Sequence, residues 1–338
     1  MKALFFGLGS IGQRHLRNLL EIKPDVKVFA LRRQSSNNLI IENGSAVTTD
    51  SLSDKYAIQE VFSLDKAFSI RPDLVFVTSP TSEHFKTVLR SLEQGAHVFV
   101  EKPLCLNVRE AQEIADLSQR VNRKVFVGYQ TRFHPFLKDI REILNSWNFG
   151  PPISAAFNWF TYLPDHHPYE DFKLSYASRK DLGGGVVLGL SHEIDLVHYL
   201  FGVPRVISAL STNSSCLEIN VEETVCISLI CELRRKAFPV SVHLSYAHKF
   251  ESRIFRIYFE KACIECDLGN NSIKIESVVG LENRTDKIRI DRNKLFKDEL
   301  VHFLSYVDED NDKCSDPLGC SYLEVSKTIS EVRDMLNE

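Results

Sequence analysis

The chain has 338 residues, 43% of them hydrophobic and 25% charged, with a formal net charge of −4 and a pI near 6.3. That length fits about two domains and that composition a globular protein with a sizeable core. A slightly acidic balance excludes the basic stripe of a nucleic-acid binder. No apolar run approaches the ~20 residues of a membrane helix, and no secretory signal follows Met1-Lys2. The eight scattered cysteines read as reduced thiols, so a cytoplasmic protein without a membrane partner is expected.

Residues 2–6 (KALFF) form a short apolar run, as expected of a buried parallel strand, and lead straight into GLGSIG at 7–12. A helical stretch, QRHLRNLLEI, follows and is stopped near Pro24. Strand, glycine turn and helix in this order are the setting of a dinucleotide fingerprint. Gly7 makes the tight turn, Gly9 lets the backbone approach a pyrophosphate, and Gly12 permits close helix–strand packing. Ser10 and Ile11 open the helix, where N–H groups and the helix dipole favour phosphate.

The second strand is expected at 26–31 (VKVFAL) and ends on Arg32-Arg33-Gln34-Ser35-Ser36. NAD enzymes place a carboxylate near here for the ribose hydroxyls. Two guanidiniums suit a 2′-phosphate instead, so NADP is the preferred cofactor, with NAD the alternative. The same two arginines also fit a solvated turn.

Further strand–helix units follow. One strand at 74–77 (LVFV) ends in Thr78-Ser79-Pro80 before a helix containing His84; another at 97–100 (HVFV) ends at Glu101-Lys102-Pro103. A helix over 107–119 and a strand at 124–127 complete the pattern. This alternation predicts a parallel sheet wound on both faces, with ligands at the carboxyl ends of its strands. Ser79, His84 and Lys102 all fall on that edge. Lys102, held between a buried strand and a proline, reads as a site residue; His84 reads equally as a site residue or as a buried structural histidine.

Gly150-Pro151-Pro152 marks a boundary region, and a strand begins near 158–161. A long polar and aromatic loop follows, in which Tyr176 and Arg179 are candidate substrate contacts; Arg132, just before the boundary, is another. Asp165, His166, His167 and Glu170 match no standard metal spacing, and no metal is expected. Val186 to Phe201 has a helical pattern with His192 in its middle and Asp195 on the same face, an arrangement suited to acid–base chemistry in which the Asp fixes the His tautomer. Alternating runs over about 205–290 predict antiparallel strands with one covered face. Cys263 and Cys266 lie in one such run on opposite faces, so they read as structural. Residues 322–336 form an amphipathic helix.

GLGSIG, TSPTSEH, EKP, GYQTRFHP (128–135) and GGGVVLGLSHEIDLVHYLFG (183–202) together resemble the Gfo/Idh/MocA oxidoreductases, from the chain start to about residue 202. The resemblance implies a Rossmann domain (1–125) followed by an α/β domain (126–338) with a large, mostly antiparallel sheet. It also implies an active site in a cleft between them, and homodimers or homotetramers. Lys102 carries over as the residue bonded to the reacting hydroxyl, Glu101 as its support beside the nicotinamide, and His192 as a proton-transfer and substrate contact. Many relatives carry an acid about one turn before this histidine, where the present chain has Leu188 and Gly189. The expected function is NAD(P)-dependent hydride transfer at a hydroxyl or keto carbon of a sugar, such as a nucleotide or amino sugar of surface polysaccharides. The alternative is a non-catalytic NAD(P)- or sugar-sensing regulator on the same scaffold.

Overall fold

The computed structural model describes residues 1–32, 40–42, 45–47, 51–213, 217–278, 283–308 and 321–336. Two compact units emerge. The first is Met1–Tyr129 with most of a late helix; the second is Gln130–Leu295 with most of the last helix. The expected border at 125/126 falls instead at 129/130, because Val125–Gly128 completes the first sheet.

The first unit contains β1 (Lys2–Phe6), α1 (Ser10–Ile22), β2 (Lys27–Leu31), β3 (Ile40–Glu42), β4 (Ser45–Val47), α2 (Leu52–Lys55), β5 (Gln59–Val61), α3 (Leu64–Ser69), β6 (Leu74–Val77), α4 (His84–Glu93), β7 (His97–Glu101), α5 (Val108–Val121) and β8 (Val125–Gly128). Strands β3 and β4 pair only with each other; the other six form one sheet in the order β5-β2-β1-β6-β7-β8. Every pairing in it is parallel. The order reverses beside β1, the switch point at which such sheets bind ligands outside the strand carboxyl ends.

Register also lines up aromatic side chains across the sheet. Phe5, Phe76, Phe99 and Phe126 are direct partners on β1, β6, β7 and β8, so their rings form a ladder across the sheet. Successive centroids lie 4.6, 5.5 and 5.6 Å apart. Each such pair contributes about 0.5–1.5 kcal/mol beyond its burial. Phe303, on the late helix, meets the ladder edge-on at Phe76 and Phe99.

The second unit adds α6 (Pro135–Ser146), β9 (Pro152–Tyr162), α7 (Val186–Gly189), α8 (His192–Phe201), β10 (Arg205–Thr212), β11 (Thr224–Leu233), β12 (Lys236–Ser245), β13 (Ala247–Phe259), β14 (Ala262–Asp267), β15 (Ser272–Ser277) and β16 (Arg284–Lys287). The late helix is α9 (Arg292–Asp308), and α10 (Tyr322–Leu336) ends the described chain. The sheet order is β10-β11-β12-β9-β13-β14-β15-β16. All neighbours are antiparallel except β9 and β12, which run parallel. The fold class is therefore a doubly wound parallel sheet plus a larger, mostly antiparallel one.

On the covered face, Phe157 stacks on Phe255 at 5.0 Å, and Phe201 of α8 meets Phe157 and Phe238 edge-on. Cys266 is buried and Cys263 half-buried on alternate faces of β14, and both are free thiols. No helix among the described residues is long and apolar enough to cross a membrane.

Candidate functional site

The cofactor-side residues lie in the first unit. Gly7, with φ +99°, turns the chain out of β1; a Cβ there would lie 2.6 Å from the Thr78 carbonyl oxygen. A Cβ on Gly12 would meet the Gly7 carbonyl at 2.3 Å, so α1 packs against this turn only because position 12 is bare. At Gly9 a Cβ would meet nothing within 4 Å. Gly9 also precedes α1 with no side-chain cap, and no acid occupies the first turn. The N–H groups of Ser10 and Ile11 have no intrahelical acceptor. An open, uncapped helix start of this kind accepts a phosphate.

Two more observations fit a dinucleotide. The Ser79 hydroxyl, past the end of β6, is buried with no partner among the described residues, so a ligand group can supply one. Arg32 lies at the end of β2, with its Nε 3.9 Å from the Glu60 carboxylate. The sequence reading saw no carboxylate here because Glu60 arrives from the neighbouring strand, as the register partner of Ala30. Arg33 lies outside the described residues.

The β7 end is built to hold Lys102. Glu101 is buried at the end of the strand, and its Oε1 lies 2.7 Å from His15 Nε2. Its other oxygen accepts from the Lys102 backbone N–H at 3.2 Å. The Lys102-Pro103 bond is cis. His84 is wholly buried, and burial lowers its pKa. Its Nδ1 lies 3.0 Å from the Pro103 carbonyl and its Nε2 2.9 Å from that of Ser79. The ring thus straps two strand ends together. His15 escaped that reading because its partner is 86 residues away.

The second unit holds the histidine side. The helix expected over 186–201 is two helices, α7 and α8, broken at Leu190-Ser191. His192 is therefore the first residue of α8, not its middle. The phenol of Tyr246 fills the side-chain space of residue 189: a Cβ on Gly189 would lie 1.5 Å from Tyr246 Oη. A carboxylate there would first have to displace Tyr246. Burial pushes the Tyr246 phenol well above its usual pKa, and its hydroxyl donates to the Gly185 carbonyl at 3.4 Å.

Asp195 is wholly buried, and its carboxylate is engaged by Arg132, whose Nε donates at 3.0 Å and Nη2 at 2.5 Å. Helical spacing pairs Asp195 with His192 and leaves Arg132 for substrate; in the structure these two charges engage each other. His192 Nδ1 instead faces Thr131 Oγ1 at 3.4 Å. Thr131 also accepts from Arg253, which is bidentate to Glu193 and lies over the Trp159 ring at 3.9 Å. Thr131 and Glu193 sit inside motifs that the sequence showed, GYQTRFHP and SHEID; Arg253, in a strand of mixed polarity, carried no signal.

The loop candidates have contacts of their own. Arg179 is tied to Asp181 at 2.6 Å, and Tyr176 is exposed. His166 bonds Thr161, and His167 bonds Tyr169. Among the described residues no group of three or more His, Cys, Asp or Glu could hold a metal ion.

Known proteins match both units. Residues 1–129 match the Gfo/Idh/MocA oxidoreductase family, NAD-binding Rossmann fold, and residues 137–265 match the Gfo/Idh/MocA C-terminal domain. The chain is 27% identical over 210 residues to scyllo-inositol 2-dehydrogenase (NAD(+)) of Bacillus subtilis, covering 60% of this chain and 54% of that protein. It is 30% identical over 132 residues to the putative oxidoreductase YteT of the same species, covering 39% and 30%. The chain thus spans about one third to one half of these relatives' lengths. Among solved structures, UDP-N-acetylglucosamine 3-dehydrogenase of Acidithiobacillus ferrooxidans superposes with TM-score 0.76 at 17% identity, covering 99% of this chain and 97% of that one. Levoglucosan dehydrogenase with NADH and L-sorbose gives 0.81 at 12% identity, covering 100% and 97%. The 3-ketoreductase KijD10 of Actinomadura kijaniata, with NADP, gives 0.79 at 14% identity, covering 99% and 98%. With both domain types matched in order over most of its length, this chain belongs to the Gfo/Idh/MocA oxidoreductase family.

Proposed function

We propose that the protein is an NAD(P)-dependent oxidoreductase that transfers a hydride at a hydroxyl or keto carbon of a sugar or sugar derivative, with NADP preferred. The observation carrying this reading is the β7 end, where Glu101 is held by His15 and in turn holds the backbone of Lys102 at the carboxyl edge of a parallel sheet. A lysine there has one chemical use that its surroundings favour: exchanging a proton with a substrate hydroxyl.

A bound nicotinamide dinucleotide supplies the hydride acceptor or donor. Gly7, Gly9, Gly12 and the first N–H groups of α1 would hold its pyrophosphate, Ser79 would supply a hydroxyl, and Arg32 and Arg33 would receive a 2′-phosphate. In the oxidative direction the hydroxyl proton passes to Lys102 Nζ as the carbinol carbon loses its hydride; reduction reverses both transfers. His192 contacts an oxygen of the substrate, and Tyr176 and Arg179 are candidates for outer hydroxyl or anionic groups. A nucleotide-activated or amino sugar is the favoured substrate class. Support comes from relatives and structural neighbours named for inositol, UDP-N-acetylglucosamine and levoglucosan.

The test is turnover by purified protein across sugars, polyols and nucleotide sugars, with NADP(H) and NAD(H) offered separately. Reduction or oxidation of cofactor with one sugar class supports the reading. Tight cofactor binding without turnover of any of them would overturn it in favour of a sensing role.

A further inference from the structure

We infer that Glu193, Arg253 and Thr131 form a positioning relay that fixes the neutral His192 ring as its Nε2–H tautomer, making it a hydrogen-bond donor toward substrate oxygen. The inference rests on the oxidoreductase reading for its purpose and on hydrogen-bond accounting for its content.

The accounting starts at Glu193, whose side chain is 3% exposed. A carboxylate so placed needs a partner, and Arg253 provides two bonds, Nε to Oε1 at 2.7 Å and Nη2 to Oε2 at 3.3 Å. The guanidinium is held flat by Trp159, over whose ring it lies at 3.9 Å. Fixed in this way, Nη2 also reaches Thr131 Oγ1 at 3.2 Å. A guanidinium has no acceptor atom, so Thr131 must be the acceptor in that bond.

Thr131 is itself buried, and its hydroxyl carries one hydrogen. The other recorded partner of that hydroxyl among the described residues is His192 Nδ1, at 3.4 Å. If Nδ1 carried a proton, it would point at an oxygen that already accepts from Arg253, and the threonine hydrogen would be left buried without an acceptor. That arrangement strands a buried donor, the costly case. With Nδ1 unprotonated, the hydroxyl donates to it, and both the threonine hydrogen and Nδ1 have a partner. The ring proton then sits on Nε2.

Asp195, the residue whose spacing suggested the tautomer-fixing role, has its charge met by Arg132. Two acids in the first turn of α8 thus each engage an arginine, and the Glu193 arm leads on to His192 through Arg253 and Thr131. The consequence for chemistry is a division of labour: Lys102 exchanges the proton, while His192 donates through Nε2 and orients the oxygen.

The test uses full-length protein labelled with ¹⁵N-histidine, with His192→Gln to assign the His192 signals in long-range ¹H–¹⁵N spectra. The wild type should show an unprotonated Nδ1 and a protonated Nε2. Thr131→Val should replace this single pattern by a mixture of tautomers, and Thr131→Ser should restore it. An Nδ1–H pattern in the wild type, or a pattern indifferent to Thr131→Val, overturns the relay. The wild-type spectrum decides the matter even if the valine variant fails to fold. With the substrate identified by turnover, Thr131→Val should lower kcat on the order of 10²-fold, with KM nearly unchanged and the serine variant recovering activity. An Nε2–H pattern without turnover of any sugar would defeat the oxidoreductase reading and leave the relay standing; turnover with an Nδ1–H pattern would do the reverse.

Discussion

Arg132 and Asp195 form a bidentate ion pair inside the second unit, with side chains 3% and 1% exposed. Both charges are out of water, so each depends on the other for solvation. Removing one leaves the other charge buried without this bidentate partner. Asp195→Ala should therefore cost about 3–5 kcal/mol of stability, while Arg132→Met with Asp195→Leu should cost much less. Urea unfolding of the two variants checks this. Similar losses in both would mean that the pair is not acting as a unit.

Gly189 and Tyr246 compete for one volume. Gly189→Ala sets a methyl 1.5 Å from the phenol oxygen, so α7 or Tyr246 must move. A loss of about 1–3 kcal/mol is expected from such overpacking. Adding Tyr246→Phe removes the colliding oxygen and should return part of it, read as a higher Tm for the double variant than for Gly189→Ala. At Gly189, one of the two positions where relatives carry an acid before His192, a larger residue would first have to displace Tyr246.

In the proposed preference for NADP, Arg32 would receive the 2′-phosphate, and the Glu60 carboxylate approaches it at 3.9 Å. Arg32→Ala should raise the KM for NADP about tenfold or more, in line with the loss of one charge-assisted contact, and leave that for NAD nearly unchanged. Equal effects on both cofactors would remove the argument for a 2′-phosphate contact.

Acid should destabilise the second unit through His198. Burial, with help from Arg132, lowers its pKa to about 3, and its Nε2 bonds Thr328 of α10 at 2.9 Å. The unfolded chain binds this proton near pH 6.5, whereas the folded chain does not. The contribution is complete above that pH and is lost as pH falls toward 3, at up to about 1.4 kcal/mol per pH unit. His198→Gln should flatten the acid limb of a stability–pH profile by that slope. An unchanged limb would place the acid sensitivity elsewhere.

Legibility of the fold from sequence followed burial. The parallel strands read clearly because LVFV and HVFV are covered on both faces and lack polar alternation, and GLGSIG announced its own turn. The break between α7 and α8 did not read, because Leu190 and Ser191 carry no strong stop signal and the pattern stays apolar across them. The parallel β9–β12 pair was equally hidden, since hydropathy reports which face is covered but not strand direction. At the candidate site, motif residues were visible one by one. Their partners were not: His15 meets Glu101 across 86 residues, and Arg253 meets Glu193 across 60. Asp195 shows the hazard in the other direction, because helical spacing offered His192 a partner that Arg132 had claimed.

In the proposed reaction Lys102 moves the substrate hydroxyl proton, and single-turnover hydride transfer in Lys102→Ala tests this most directly. The variant should bind cofactor as the wild type does but transfer hydride slower by about 10²–10⁴-fold. Transfer within a few-fold of wild type, with the same substrate and cofactor, would contradict it.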